Sequence, residues 1–322
     1  MSTLINRRAA CAAIAGAAVF PALAQSTWPR QAVRVIVPYG AGSAPDVMMR
    51  IIGDKLSAHL GQPVVVDNKP GAGGIVAVQA MNAARDAHTF IFMLTGVAVI
   101  SPILYKAARY DVVRDFASIA GIAETSVMLV ASPSARARTL PDIIRAAKET
   151  PGKLVIGHPG PGSLAHLMLE QFAQLSGAKF LMAGFNATHG PLAVAGGDAD
   201  YYMDGIATQL PFVKARRTIP VAVFSPEVLP GLEAYPLAKN ALPGAEGMGY
   251  FGIMGPKNLS ADAIARLSNA LKSSIAEPDV VARLLEFATY PKFSTGAQYA
   301  ATLAREKAQW SGVVAAAGIE PQ

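Results

Sequence analysis

Apolar runs and runs with helical spacing alternate along most of this chain. Residues 33–37 are apolar except for Arg34 and lie between Pro29 and Pro38, the pattern of a strand buried on both faces. Beyond a glycine turn, Val47, Met48, Ile51, Ile52, Leu56 and Leu60 recur at helical spacing, and Gly61 supplies a stop. Residues 64–66 read as a second strand, 68–74 as a glycine-rich turn before another helix, and 89–94 as a third strand. Further strands are expected at 127–131 and 154–156, with helices over 141–149 and around His166, Leu167, Leu169 and Phe172. Residues 260–287 read as one helical segment opened by Ser260-Ala261-Asp262, and 295–317 as a long terminal helix. The alternation predicts an α/β chain with mainly parallel sheets. The unit of strand, glycine turn and helix occurs at Gly42 and again at Gly162, about 120 residues on. That spacing predicts two lobes, each bringing one turn to a shared cleft.

Length and composition fit this picture. The chain has 322 residues, of which 52% are hydrophobic and 16% charged, enough for a sizeable core and too apolar for disorder. The beginning differs: Arg7-Arg8, an apolar run from Ala9 to Phe20, then Ala22-Leu23-Ala24 as a small-x-small site. This is the pattern of a secretory signal peptide over residues 1–24. The run is too short for a membrane anchor, which needs roughly 20 apolar residues. Ala9-Ala10-Cys11 after the arginines disfavours a twin-arginine signal, and Arg8 disfavours a lipobox, so ordinary export to the periplasm is expected. Cys11, the single cysteine, leaves with the signal, so the mature chain forms no internal disulfide.

The net charge of +6 is scattered, with neither a basic helix nor a zinc-finger spacing, so no nucleic-acid partner is expected. His59, His88, His158, His166 and His189 show no metal-ligand spacing, and neither metal nor cofactor is expected. The chain has no G-x-S-x-G elbow, P-loop or mature thiol. An enzyme is therefore not the reading, although Ser43, Asp46 and His166 could be imagined as a catalytic set across the cleft, and a periplasmic hydrolase stands as an alternative.

The stretch YGAGSAPD, residues 39–46, carries the candidate chemistry. Gly40-Ala41-Gly42 after a strand, with Asp67 ending the next, resembles a dinucleotide fingerprint, but Pro45 occupies the third glycine position and export removes the cofactor. Ser43-Ala44-Pro45-Asp46 fits a capping box, Ser43 at the N-cap and Asp46 reaching back to the Ser43 N–H. A capped helix start at a strand end also presents N–H donors to an anion. Gly162-Ser163 repeats the arrangement, and two facing helix starts would clamp a small anion. The Gly42 and Ala44 N–H groups, water and the Ser163 side are the expected donors.

Several motifs stand in the order of one known family. They are Trp28-Pro29, Val37-Pro38-Tyr39, the run from Gly61 to Gly74, Asp115-Phe116, Pro151-Gly152-Lys153-Leu154, Gly162-Ser163 with His166, Gly196 to Asp200, Met203-Asp204 and Trp310. The chain resembles the substrate-binding receptors of tripartite tricarboxylate transporters, the Bug family. The resemblance covers essentially the whole mature chain. It implies an α/β, two-lobed periplasmic-binding-protein fold of the Venus-flytrap, type II-like kind with two crossovers. Lobe 1 would comprise 25–126 and 250–322, and lobe 2 would comprise 127–249. It further implies a monomer that closes on a small organic carboxylate and delivers it to membrane permease subunits; a sensor for a signalling partner is a second role such a receptor could serve. The implied ligand-binding residues are Tyr39, Gly42, Ser43, Ala44 and Asp46 from one lobe and Gly162, Ser163 and His166 from the other, with Asp204 near the cleft. Two departures bear on the ligand. Ser43-Ala44-Pro45 replaces a turn with more glycine and a threonine, and Gly184-Phe185-Asn186-Ala187 replaces a proline-tyrosine-lysine-glycine segment. A ligand less anionic than a plain dicarboxylate, more aromatic or amide-like, is implied.

Overall fold

The computed structural model describes residues 28–185 and 189–322. The export segment 1–24, and Asn186 and Ala187 of the departing segment, lie outside them.

Two sheets organise the chain. The strands are β1 (Val33–Val37), β2 (Val64–Asn68), β3 (Thr89–Leu94), β4 (Phe116–Thr125), β5 (Val127–Ala131), β6 (Val155–His158), β7 (Leu181–Gly184), β8 (Tyr201–Gly205), β9 (Ile219–Val223), β10 (Gly249–Pro256) and β11 (Tyr290–Thr295). The longer helices are α1 (Ala44–Leu60), α2 (Ile75–Ala84), α3 (Leu140–Glu149), α4 (Leu164–Ser176), α5 (Gly190–Gly196), α6 (Ile206–Lys214), α7 (Ala261–Ala276), α8 (Pro278–Glu286) and α9 (Gly296–Ala316). One sheet has the order β11-β4-β10-β3-β1-β2 and the other β7-β6-β8-β5-β9. The chain passes between them at Ser126, from β4 to β5, and again between β9 and β10, which are the two expected crossovers.

The sheets are mixed, which corrects the expectation of mainly parallel ones. β1 pairs in parallel with β2 and β3, and β6 with β7 and β8. β10 instead runs antiparallel to β3 and β4, β11 to β4, and β5 to β8 and β9. The segment read as one helix over 260–287 is two, because Pro278 opens α8 after Glu277 takes an extended backbone.

Helix α9 ties the two sheets together. Near its start Tyr299 donates its hydroxyl to Met93 O of β3 at 3.2 Å. Further along, Gln174 of α4 donates to Val313 O at 3.0 Å, and Trp310 is fully buried. One apolar cluster accordingly contains Met93 of the first sheet, Leu129 and Phe172 of the second half, and Trp310 between them. The last residue returns to the first half: Gln322 N donates to Leu104 O, and Lys106 N to Gln322 O, both at 2.8 Å.

The run from Gly61 to Gly74, which carries much of the family resemblance, is a packing device. Gly73 has φ +62°, and a Cβ there would lie 2.9 Å from both Ser101 Oγ and Tyr105 Cε2. The Ser101 hydroxyl donates to Gly73 O at 2.6 Å, so the turn and the Tyr105 ring seat each other.

Candidate functional site

The two glycine turns are built on one plan. Gly42 and Gly162 have φ 79° and 80°, values that cost a non-glycine residue roughly 1–2 kcal/mol. Each precedes a serine in extended conformation at a helix N-cap, Ser43 before α1 and Ser163 before α4. The serine N–H donates to the carbonyl three residues back, Gly40 at 3.2 Å and Gly160 at 3.3 Å. The glycine N–H is taken by the side chain four residues on. Gly42 donates to Asp46 Oδ2 at 2.8 Å, and Gly162 to His166 Nδ1 at 3.4 Å. The chain thus repeats Gly-x-Gly-Ser with aspartate in one copy and histidine in the other.

This geometry corrects the capping-box reading. Asp46 reaches Gly42 N rather than Ser43 N, and Ser43 makes no side-chain cap; its buried Oγ has no partner. Asp46 is 2% exposed and fully engaged: Arg50 Nε donates to Oδ1 at 3.0 Å and Asn68 Nδ2 to the same oxygen at 2.9 Å. Burial alone would raise its pKa, but the bonds from Arg50, Gly42 and Asn68 outweigh it and hold the carboxyl below its ordinary value. With every carboxylate oxygen occupied, Asp46 fixes the turn.

The second turn does carry its cap. The Ser163 hydroxyl accepts from His166 N at 3.1 Å and donates to Gly160 O at 2.8 Å. Behind it, the His158 and His166 rings lie 4.6 Å apart, and His158 Nδ1 accepts from Gly160 N at 3.2 Å. Burial lowers both pKa values, that of His166 to about 4 with the neighbouring His158 contributing, so both rings are neutral and serve as acceptors for the loop. Asp46 and His166 are thus each bonded into their own turn, Ser43 stands in the turn with Asp46, and no hydrogen bond joins the three as a catalytic set among the described residues. Among the described residues no cluster of three His, Cys, Asp or Glu could hold a metal.

Between the sheets lies a cavity of about 200 Å³, room for about seven waters at the ~30 Å³ each takes in the liquid. Its walls come from four places. The first sheet gives Tyr39 and the end of β3, Leu94-Thr95-Gly96; the second gives Gly162 to Ala165 and Asp204-Gly205; and the crossovers give Thr125-Ser126-Val127 and Gly249-Tyr250-Phe251. Of the residues expected from sequence, Tyr39, Gly162, Ser163 and Asp204 line it. Gly42, Ser43, Ala44, Asp46 and His166 do not. A larger cavity, about 680 Å³, opens on another face of Tyr250, walled by the 226–230 segment, α7, α8 and β11, and holds none of the expected residues.

The cavity wall is more apolar than polar, with a few hydroxyls and one carboxyl set into it. Among the described residues no Lys, Arg or His lines it. The N–H groups of Leu164 and Ala165, first in α4, have no acceptor within the helix, and both residues line the cavity. Tyr39 is 38% exposed, yet burial of its hydroxyl end raises its pKa, and burial pushes the Tyr250 hydroxyl up to about 12. Asp204 is 8% exposed. Its Oδ1 accepts from Gly205 N at 2.6 Å, and burial pushes its pKa up to about 6. The Tyr105 hydroxyl lies 3.3 Å from where a Gly162 Cβ would stand.

Sequence reasoning missed the β3 end and both crossovers. A signal for the crossovers was present, since the boundaries expected at 126/127 and 249/250 fall inside the cavity lining.

Comparison with known proteins points one way. The family model described as "Tripartite tricarboxylate transporter family receptor" matches residues 48–319. A protein from Cupriavidus necator, described as a UPF0065 protein in the gbd 5' region, is 30% identical over 307 residues, covering 93% of each chain. Protein BugT of Bordetella pertussis is 26% identical over 312 residues, covering 95% of each. The solved structure of R. palustris Rpa4515 with adipate superposes with a TM-score of 0.80 at 26% identity, covering 92% of this chain and all of that one.

Proposed function

This chain belongs to the tripartite tricarboxylate transporter receptor family, a family of solute-binding receptors and not of enzymes, and on that premise we propose that it captures a small organic carboxylate in the periplasm and passes it to the permease subunits of such a transporter. The observation that carries the reading is the cavity between the sheets, where the start of α4 meets hydroxyls and backbone from both halves. Two N–H groups with no acceptor within the helix suit a carboxylate, and they need no cationic side chain to do so. The relative solved with adipate is consistent with an acid of this size.

In this reading residues 1–24 direct export, 25–126 with 250–322 form one lobe, and 127–249 form the other. Tyr39, Gly162, Ser163 and Asp204 touch the ligand. Gly42, Ser43, Ala44 and Asp46 shape the opposing rim, and His166 holds the Gly162 turn. The direct test is calorimetry and thermal shift of residues 25–322 against mono-, di- and tricarboxylates, aromatic acids and amides. A binding acid at 100 times its Kd stabilises the fold by about 2.7 kcal/mol, with a shift that grows with concentration. A panel in which no acid binds removes the reading.

A further inference from the structure

Asp204 is the one feature of the cavity that a carboxylate ligand does not explain. A buried acid in a carboxylate site sets like charge against like charge, and here no cationic side chain among the described lining residues offsets it. The carboxyl is also short of donors. Oδ1 has the Gly205 N–H at 2.6 Å, but among the described residues Oδ2 has only the Tyr202 hydroxyl at 3.4 Å, beyond the 2.5–3.0 Å of a good O–H···O bond. The Thr208 hydroxyl stands close enough to lower the Asp204 pKa, yet its one proton goes to Gly205 O at 2.8 Å. A carboxylate offers about four acceptor positions, and this one, 8% exposed and part of the cavity wall, has one strong bond from the described residues.

We propose that Asp204 is a specificity residue, selecting carboxylates that carry a hydrogen-bond donor at their second end, an amide, hydroxyl or ammonium, over plain dicarboxylates. The inference rests on the carboxylate-receptor reading and names its ligand class. In it the ligand carboxylate meets the Leu164 and Ala165 N–H groups and the Ser163 side, while the second end supplies the proton that Asp204 Oδ2 lacks. Burial pushes the acid up to about 6, so it is ionised and wants a donor at pH 8.

The experiment is titration calorimetry of residues 25–322 at pH 8 with matched acids of four to seven carbons. For each length the set is the alkanoate, the dicarboxylate, the ω-hydroxy acid, the ω-amino acid and the dicarboxylic monoamide. The expected result is a donor-bearing acid binding tenfold or more tighter than the alkanoate and dicarboxylate of its own length. Asp204→Asn should shrink that gap to within threefold. The inference is overturned by a dicarboxylate that binds the native chain as tightly as its donor-bearing partners, or by D204N leaving the tenfold gap in place. Should D204N fail to fold, the native-chain ranking alone decides. A panel in which dicarboxylates win leaves the receptor reading standing and removes only the role of Asp204, whereas a panel with no binding removes both.

Discussion

Glu306 sits inside α9, 8% exposed, with Trp310 Nε1 donating to its Oε2 at 2.8 Å. Burial pushes its pKa from 4.5 to about 7, against the smaller opposing effects of the Trp310 bond and the nearby Arg305. The folded state therefore holds this proton more tightly than the unfolded chain does. Stability from the protonated group is fully present below pH 4.5 and is lost as pH rises through 7. At about 1.36 kcal/mol per pH unit, the interval between those values amounts to roughly 3 kcal/mol above pH 8. Glu306→Gln removes the titration while keeping an acceptor oxygen for Trp310. The variant should melt within a degree or two of the native chain at pH 4.5 and at least ~6 °C above it at pH 8.5, taking 2–4 °C per kcal/mol for a chain of this size. Thermal melts followed by circular dichroism on residues 25–322, every half unit of pH, give the curve. A gap of equal size at both ends of the range, or one that narrows as pH rises, refutes the argument.

The twin turns make a matched pair of predictions. Ser163→Ala removes a formed cap and should cost about 1–2 kcal/mol in urea denaturation, whereas Ser43→Ala removes a buried hydroxyl without a partner and should fall within about 0.5 kcal/mol of the native chain or above it. Gly162→Ala forces a side chain onto a φ of 80° beside the Tyr105 hydroxyl. It should lose about 1–2 kcal/mol of stability and weaken the tightest acid of the binding panel, both read from melts with and without that acid. Asp46→Asn should cost about 1–3 kcal/mol and leave the order of ligand affinities unchanged, because the residue braces the turn and does not line the cavity.

Much of the scaffold was legible because local pattern and burial agreed. The strands at 33–37, 89–94 and 127–131 are apolar runs between turn residues, and the structure has them with those bounds. The mixed sheets were not legible, since the antiparallel partners of β4 and β5 lie far away in sequence. β10, Gly249–Pro256, is interrupted by glycines whose reason is tertiary: a Cβ at Gly252 would collide with the Tyr299 ring. The turns show the finest grain. Their repeated Gly-x-Gly-Ser could be seen in the residues, yet whether Asp46 would bond Ser43 N or Gly42 N differs by one backbone position, which spacing alone does not resolve. The cavity required knowing that two crossovers run side by side.

Helix α9 has a consequence for anyone who would exchange specificities between relatives. The segment 127–249 looks like a cassette, entering and leaving the second sheet at the two crossovers. Its helix α4, however, is laid against the far half of α9, where Gln174 bonds Val313 O and Met168 stands with Trp310 around Gly247. A transplanted cassette would arrive with a seam cut for another helix. Chimeras that move 127–249 together with 304–322 should fold where the shorter graft does not, so the heritable unit of this receptor is discontinuous in the gene.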